Sequence, residues 1–179
     1  MSVLSYVNAS DFRVSGRLLD WAPPRWFRVW MVGASRLGDG WLWLLALAGL
    51  AARGDGDGHR LLVAAAVTAG LANIVLVLLK GRVRRPRPCD LAKPRHFDVA
   101  PLLCIPSDRY SFPSGHSLNA FALAIVLALA FPLLAAPVFL VAASVAASRV
   151  VLGLHYMSDV LAGSALGALI GGAVFTLVG

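Results

Sequence analysis

Thirty-two consecutive residues, Ser117 to Ser148, carry no charged side chain. A helix crosses a bilayer's hydrocarbon core in about 20 residues, so this run is too long for one crossing and suits two. Pro132 and Pro137 fall in its middle. Proline lacks the amide proton and clashes with the preceding turn, so the break belongs there. We read two helices, about 114–131 and 134–151. Leu61 to Leu79 is also uncharged and ends at Lys80, and Val160 to Gly179 supplies the last span. Trp41 to Ala52 is a weaker candidate, about 20 Å long as a helix. Asp39 and Gly40 mark its entry, and its tryptophans suit interface anchors. Residues 52–60, "ARGDGDGHR", alternate glycine with charge and read as a turn.

Composition agrees. Charged residues make up 14% of the 179-residue chain and hydrophobic ones 59%, whereas soluble domains average about 25% charged. Residues 11–36 mix apolar and basic side chains, as in "PPRWFRVWMV", and read as one or two helices lying in the membrane interface. The fold class expected is an all-α polytopic membrane helix bundle. It has about five transmembrane helices plus an interfacial N-terminal segment, 1–38, in one domain spanning 1–179. The start, "MSVLSYVNASDFR", lacks the basic-then-apolar pattern of a cleaved signal peptide. The net charge is +7, but the basic residues flank apolar runs. That points to phosphate-bearing lipid or to topology signals rather than to nucleic acid.

An alternating path through these spans puts Lys80, His116, Arg149 and Asp159 at one face of the membrane. Three polar clusters gather there. "KGRVRRPRP", Lys80 to Pro88, holds five cationic side chains. It reads either as a topology signal or as an anion cage, with Lys80 a mobile point charge and Arg87 a planar fork stiffened by Pro86 and Pro88. In "PSGH", Ser114 suits a helix N-cap. Gly115 permits close approach of a ligand to amides that favour an anion. A plain cap explains Ser114 equally well, but not why His116 follows. In "SRVVLGLHYMSD", Arg149 ends one helix, and His155 and Asp159 stand four residues apart at the start of the next. Ser158 suits a cap there. The Asp159 carboxylate would reach an imidazole nitrogen, orient the ring and stabilise its charged form, or the two form an ordinary polar pair. No carboxylate cluster suits Mg²⁺. The two histidines suit zinc by type, but the surrounding cations oppose a second positive charge, so neither metal nor cofactor is expected.

Lys80 to Pro88 reads K-x6-R-P, Pro113 to His116 reads P-S-G-H, and Ser148 to Asp159 reads S-R-x5-H-x3-D. Together they resemble the three-part signature of the type 2 phosphatidic acid phosphatase (PAP2) superfamily. That superfamily includes lipid phosphatases, glucose-6-phosphatase and vanadium haloperoxidases. The resemblance is carried by residues 80–159; residues 1–60 add little to it. It implies that His155 attacks phosphorus and forms a phosphohistidine. Asp159 would orient His155, while His116 would protonate the leaving oxygen and then activate water. Lys80, Arg87 and Arg149 would hold the phosphoryl oxygens together with Ser114 and the Gly115 amide. Arg82, Arg84 and Arg85 stand outside the signature and read as solvated or lipid-facing.

The implied function is a membrane lipid phosphatase. Its partners would be a phosphorylated lipid substrate and the surrounding membrane lipids, and it would sit in a bacterial cytoplasmic membrane. Candidate substrates are phosphatidic acid, phosphatidylglycerophosphate, a polyprenyl diphosphate and lipid A phosphate. A lipid phosphotransferase using the same phosphohistidine is the nearest alternative. A non-enzymatic lipid-binding or transport protein is a rival of another class, and it leaves the paired histidines unexplained. The spans exclude a soluble haloperoxidase. Signals for the side of the site conflict. Fourteen of sixteen Lys+Arg fall on the site's side of the threading, with Arg53 and Arg60 opposite, which argues for cytoplasm. The family resemblance, and a disulfide between Cys89 and Cys104 if one forms, argue for the opposite compartment. Oligomeric state is not legible in the sequence.

Overall fold

The structure is a computed structural model that describes residues 3–54, 56–91 and 109–178. It consists of helices α1 (Val3–Asp20), α2 (Arg25–Leu37), α3 (Trp41–Arg53), α4 (Gly56–Val83), a single turn α5 (Pro88–Leu91), α6 (Gly115–Ala130), α7 (Ala135–Val151) and α8 (Met157–Val178). Among the described residues no strand forms. The apolar runs fold as helices at the expected places. Phe131, with φ −134° and ψ 81°, leaves the α6 geometry, and Pro132 opens a 3₁₀ turn, Pro132–Leu134. Pro137 does not break the chain. It falls in the first turn of α7, where no intrahelical amide bond is lost. The 52–60 turn is also tighter than expected: Gly54 takes a left-handed conformation, φ 67°, and α4 begins at Gly56.

Among the described residues, three segments are long and apolar enough to cross a membrane: Gly56–Asp90, which contains α4, Pro132–Val151 and α8. The other two expected spans are shorter, α6 with 16 residues and α3 with 13. α6 is the central helix and packs on α8, α7 and α4. Its contact with α8 is unusually close because Gly163, Gly167 and Gly171 recur every four residues along one face. A Cβ at Gly167 would run into the Leu118 carbonyl, and one at Gly171 would lie 2.6 Å from the Ala122 carbonyl oxygen. In lipid, where tails are as apolar as leucine, such backbone contact replaces the hydrophobic drive for helix association. Ile74, Val77, Leu140, Leu161 and Leu169 point outward, as a lipid-facing surface requires.

The N-terminal segment is two helices. α2 exposes Trp26, Val29, Trp30 and Leu37, while Met31, Ala34 and Ser35 are buried. That one-sided apolar face suits the interfacial seat expected for it. Its buried face packs on α7, and α1 packs on α7 and α8.

Candidate active site

The segments between helices are tied together by backbone bonds. The Ser111 amide donates to the Arg85 carbonyl (2.8 Å), and the Ser111 hydroxyl donates to the Pro86 carbonyl (3.1 Å). The Ser114 amide donates to the Asp159 carbonyl (3.0 Å), and the Cys89 amide to the Gly153 carbonyl (3.1 Å). The three clusters, far apart in sequence, thus meet at one end of the bundle.

His155 lies in the turn between α7 and α8 and is 1% exposed. Its Nδ1 is 2.7 Å from the Ser111 carbonyl oxygen, which can only accept a hydrogen bond, so Nδ1 carries the proton. Nε2 therefore bears the lone pair in the neutral ring, and it has no hydrogen-bond partner among the described residues. Burial, with Arg149 and Arg87 adding to it, pushes this imidazole down to about 3. The ring is neutral at physiological pH. The expected His155–Asp159 pairing is present at ion-pair range, Asp159 Oδ2 standing 3.8 Å from Nδ1, but the closer partner that sets the tautomer is the Ser111 carbonyl.

Asp159 is fully buried. Its Oδ2 accepts the Tyr156 amide at 2.9 Å, reaching back from the first turn of α8 to close the helix start. Ser158, expected to cap, turns its hydroxyl to Asp11 of α1 instead. Asp159 Oδ1 accepts from Arg85 Nη1 at 2.7 Å. Here the expectation for Arg85 is overturned. It is not solvated: its guanidinium bridges Asp159 to Asp11 Oδ2 (2.8 Å) and Asn8 Oδ1 (3.1 Å), and lies 4.0 Å over the Tyr156 ring. A fork with five donors can serve two carboxylates at once, whereas the ammonium of lysine cannot match that geometry. Arg82 and Arg84 are exposed, as expected.

Ser114 is the N-cap of α6, its hydroxyl accepting the Ser117 amide at 3.4 Å. Gly115 follows Ser114 at the start of α6, and a Cβ there would lie 2.8 Å from the end of the Leu76 side chain of α4. His116, half-buried in the first turn of α6, contacts Asp39. Arg87 and Arg149 are 5% and 4% exposed and act electrostatically on both His116 and His155. Arg149 Nη1 donates to the Ser35 hydroxyl of α2. Lys80 sits in the last turn of α4, at the same end. Among the described residues no three His, Cys, Asp or Glu side chains gather as a metal site. Cys104, and with it the disulfide considered for Cys89, lies outside the described residues.

Sequence reading missed Arg85, Ser111 and three N-terminal residues, Asp11, Ser35 and Asp39. One signal was available. Only nine acidic residues face sixteen cations, so an aspartate in this chain is a strong prior for an ion-pair partner.

The sequence profile of the PAP2 superfamily matches residues 61–179. The chain is 39% identical over 152 residues to decaprenylphosphoryl-5-phosphoribose phosphatase of Mycobacterium tuberculosis, covering 82% of this chain and 78% of that one. It is 37% identical over 101 residues to lipid A 1-phosphatase of Rhizobium johnstonii, covering 56% and 41%. Among solved structures, the PAP2-type phosphatidylglycerolphosphate phosphatase of Bacillus subtilis superposes with a TM-score of 0.73 at 28% identity, covering 96% and 86%. Aquifex aeolicus LpxE follows at 0.72 and 27%, covering 89% and 92%. The chain belongs to the PAP2 superfamily. Within it, the chain is an integral membrane lipid phosphatase.

Proposed function

We propose that the chain cleaves a phosphomonoester or diphosphate of a membrane lipid in two steps through a phosphohistidine on His155. In the first step His155 Nε2 attacks phosphorus. The bond from phosphorus to the lipid oxygen breaks, and His116 gives that oxygen a proton. In the second, water attacks phosphorus, His116 takes the proton that water gives up, and the phosphorus–nitrogen bond breaks, releasing phosphate and neutral His155. Lys80, Arg87 and Arg149, with Ser114 and the Gly115 amide at the start of α6, stabilise charge on the equatorial oxygens, which is most of what phosphoryl transfer demands. The observation that carries the reading is the His155 tautomer: Nδ1 is bound to a carbonyl and Nε2 is left with its lone pair beside two buried arginines.

An apolar groove of about 380 Å³ supports a lipid substrate. Leu42, Leu45, Ala120, Leu123, Val138 and Val141 from α3, α6 and α7 line it. Ala120 is four residues beyond His116, one helical turn away. The hydrocarbon chain is joined to the leaving oxygen, and the groove starts on the His116 side. Among lipids, a polyprenylphosphoryl sugar phosphate is favoured by the relative that is 39% identical over four-fifths of this chain. The enzyme sits in a bacterial cytoplasmic membrane on this reading.

The test is phosphate release by purified protein across a panel of lipid phosphates, with EDTA present. Wild type is expected to release phosphate without a lipid acceptor, and His155→Ala to lose it by at least about 10³-fold. Full turnover in His155→Ala would sink the mechanism. Release only when an acceptor lipid is added would favour a phosphotransferase.

A further inference from the structure

The turn joining α2 to α3 is shaped around His116. Asp39 Oδ1 lies 2.7 Å from His116 Nε2. The residue before it, Gly38, leaves no room for a side chain: a Cβ there would stand 2.7 Å from His116 Cδ2 and 2.8 Å from Val145 Cγ1. The residue after it, Gly40, has φ 101°, a conformation that L side chains rarely adopt. The Gly38 amide bonds back to the Ala34 and Ser35 carbonyls, fixing the turn to α2. Three consecutive residues thus each serve a loop that presses one carboxylate against one imidazole.

Charge gives that carboxylate a task. The charged groups acting on His116 are Arg149 and Arg87, both cationic, and Asp39. Asp39 is itself 3.6 Å from Arg36. Arg149 and Arg87 surround the ring with positive charge, yet expelling a lipid alcohol requires its protonated form. We infer that Asp39 is a positioning residue for His116: it orients the ring through Nε2 and stabilises the imidazolium whose Nδ1 proton the leaving oxygen receives. This rests on His116 being the acid proposed above. With Nε2–H donated to Asp39, the proton passes from Nδ1 to the lipid oxygen. The neutral ring then takes a proton from the attacking water at the same nitrogen.

Leaving-group dependence tests this, because a merely structural residue would slow all substrates alike. Octyl phosphate expels an alkoxide and needs the proton; p-nitrophenyl phosphate expels a stabilised phenolate and needs it little. Asp39→Asn is expected to lower kcat on octyl phosphate by about 10²-fold and on p-nitrophenyl phosphate by less than about 10-fold, with KM little changed. Asp39→Glu is expected to recover part of the loss. The ratio of the two rates on one preparation is independent of the fraction folded, and Asp39→Glu supplies it if Asp39→Asn does not fold. An unchanged ratio in both variants overturns the inference while leaving the phosphatase reading intact. Full turnover in His155→Ala would overturn that reading instead.

Discussion

At the scale of single residues, His155 is the most consequential group. Burial holds it neutral down to about pH 3, whereas in the unfolded chain it takes a proton near 6.5. Between these values the unfolded state binds more protons, so stability rises with pH across this window and falls on acidification. From pH 7 to 5 the loss attributable to this one ring is about 2 kcal/mol. The melting temperature in detergent is expected to drop over that range, and to drop less in His155→Gln, which has no ring to titrate. Equal slopes in the two proteins would show that His155 is not held neutral by the fold. The same neutrality suits the role proposed for His155, since the neutral form is populated throughout the physiological range.

At the scale of elements, the decisive contact is between α6 and α8. α6 carries Ser114 and His116, and α8 starts with Asp159 in its first turn. The glycine face of α8 sets the distance between them. Gly167→Ala would drive a methyl into the Leu118 carbonyl and force the helices apart. Such overpacking costs about 1–3 kcal/mol, or roughly 5 °C in melting temperature for a chain of this size. Gly70 on α4 has nothing within 4 Å, so Gly70→Ala is expected to leave the melting temperature unchanged. A neutral Gly167→Ala would mean that the helices tolerate a wider separation than the contact implies.

At the scale of the whole molecule, the N-terminal helices complete the site. α1 supplies Asp11, whose carboxylate takes Arg85, the Ser158 amide and the Ser158 hydroxyl. α2 supplies Ser35 to Arg149, and the following turn supplies Asp39 to His116. Asp11→Asn would leave part of the Arg85 charge uncompensated in a nearly buried setting. Loss of about 2 kcal/mol is expected, together with reduced turnover as Asp159 loses its fixed neighbour. A melting temperature and turnover equal to wild type would show that α1 is not coupled to the site.

The uncharged runs dictated helices in a membrane, because a bilayer leaves a backbone no other way to satisfy its polar groups. They also put Lys80, His116, Arg149 and Asp159 at one end, since successive spans must alternate direction. Motif spacing then marked both histidines and the arginines proposed to hold phosphate. The sequence could not say which partner each polar group takes, because that depends on contacts between residues more than forty positions apart. Arg85 looked like one more surface cation until folding placed it between Asp159 and Asp11. Asp159 is a partner of His155, but only folding brought the Ser111 carbonyl closer to the same nitrogen. Asp39 looked like a helix entry until the α2–α3 turn set it against His116. Local pattern follows from period and hydropathy along the chain, whereas the pairing of charges in a medium of low dielectric is settled only when helices pack.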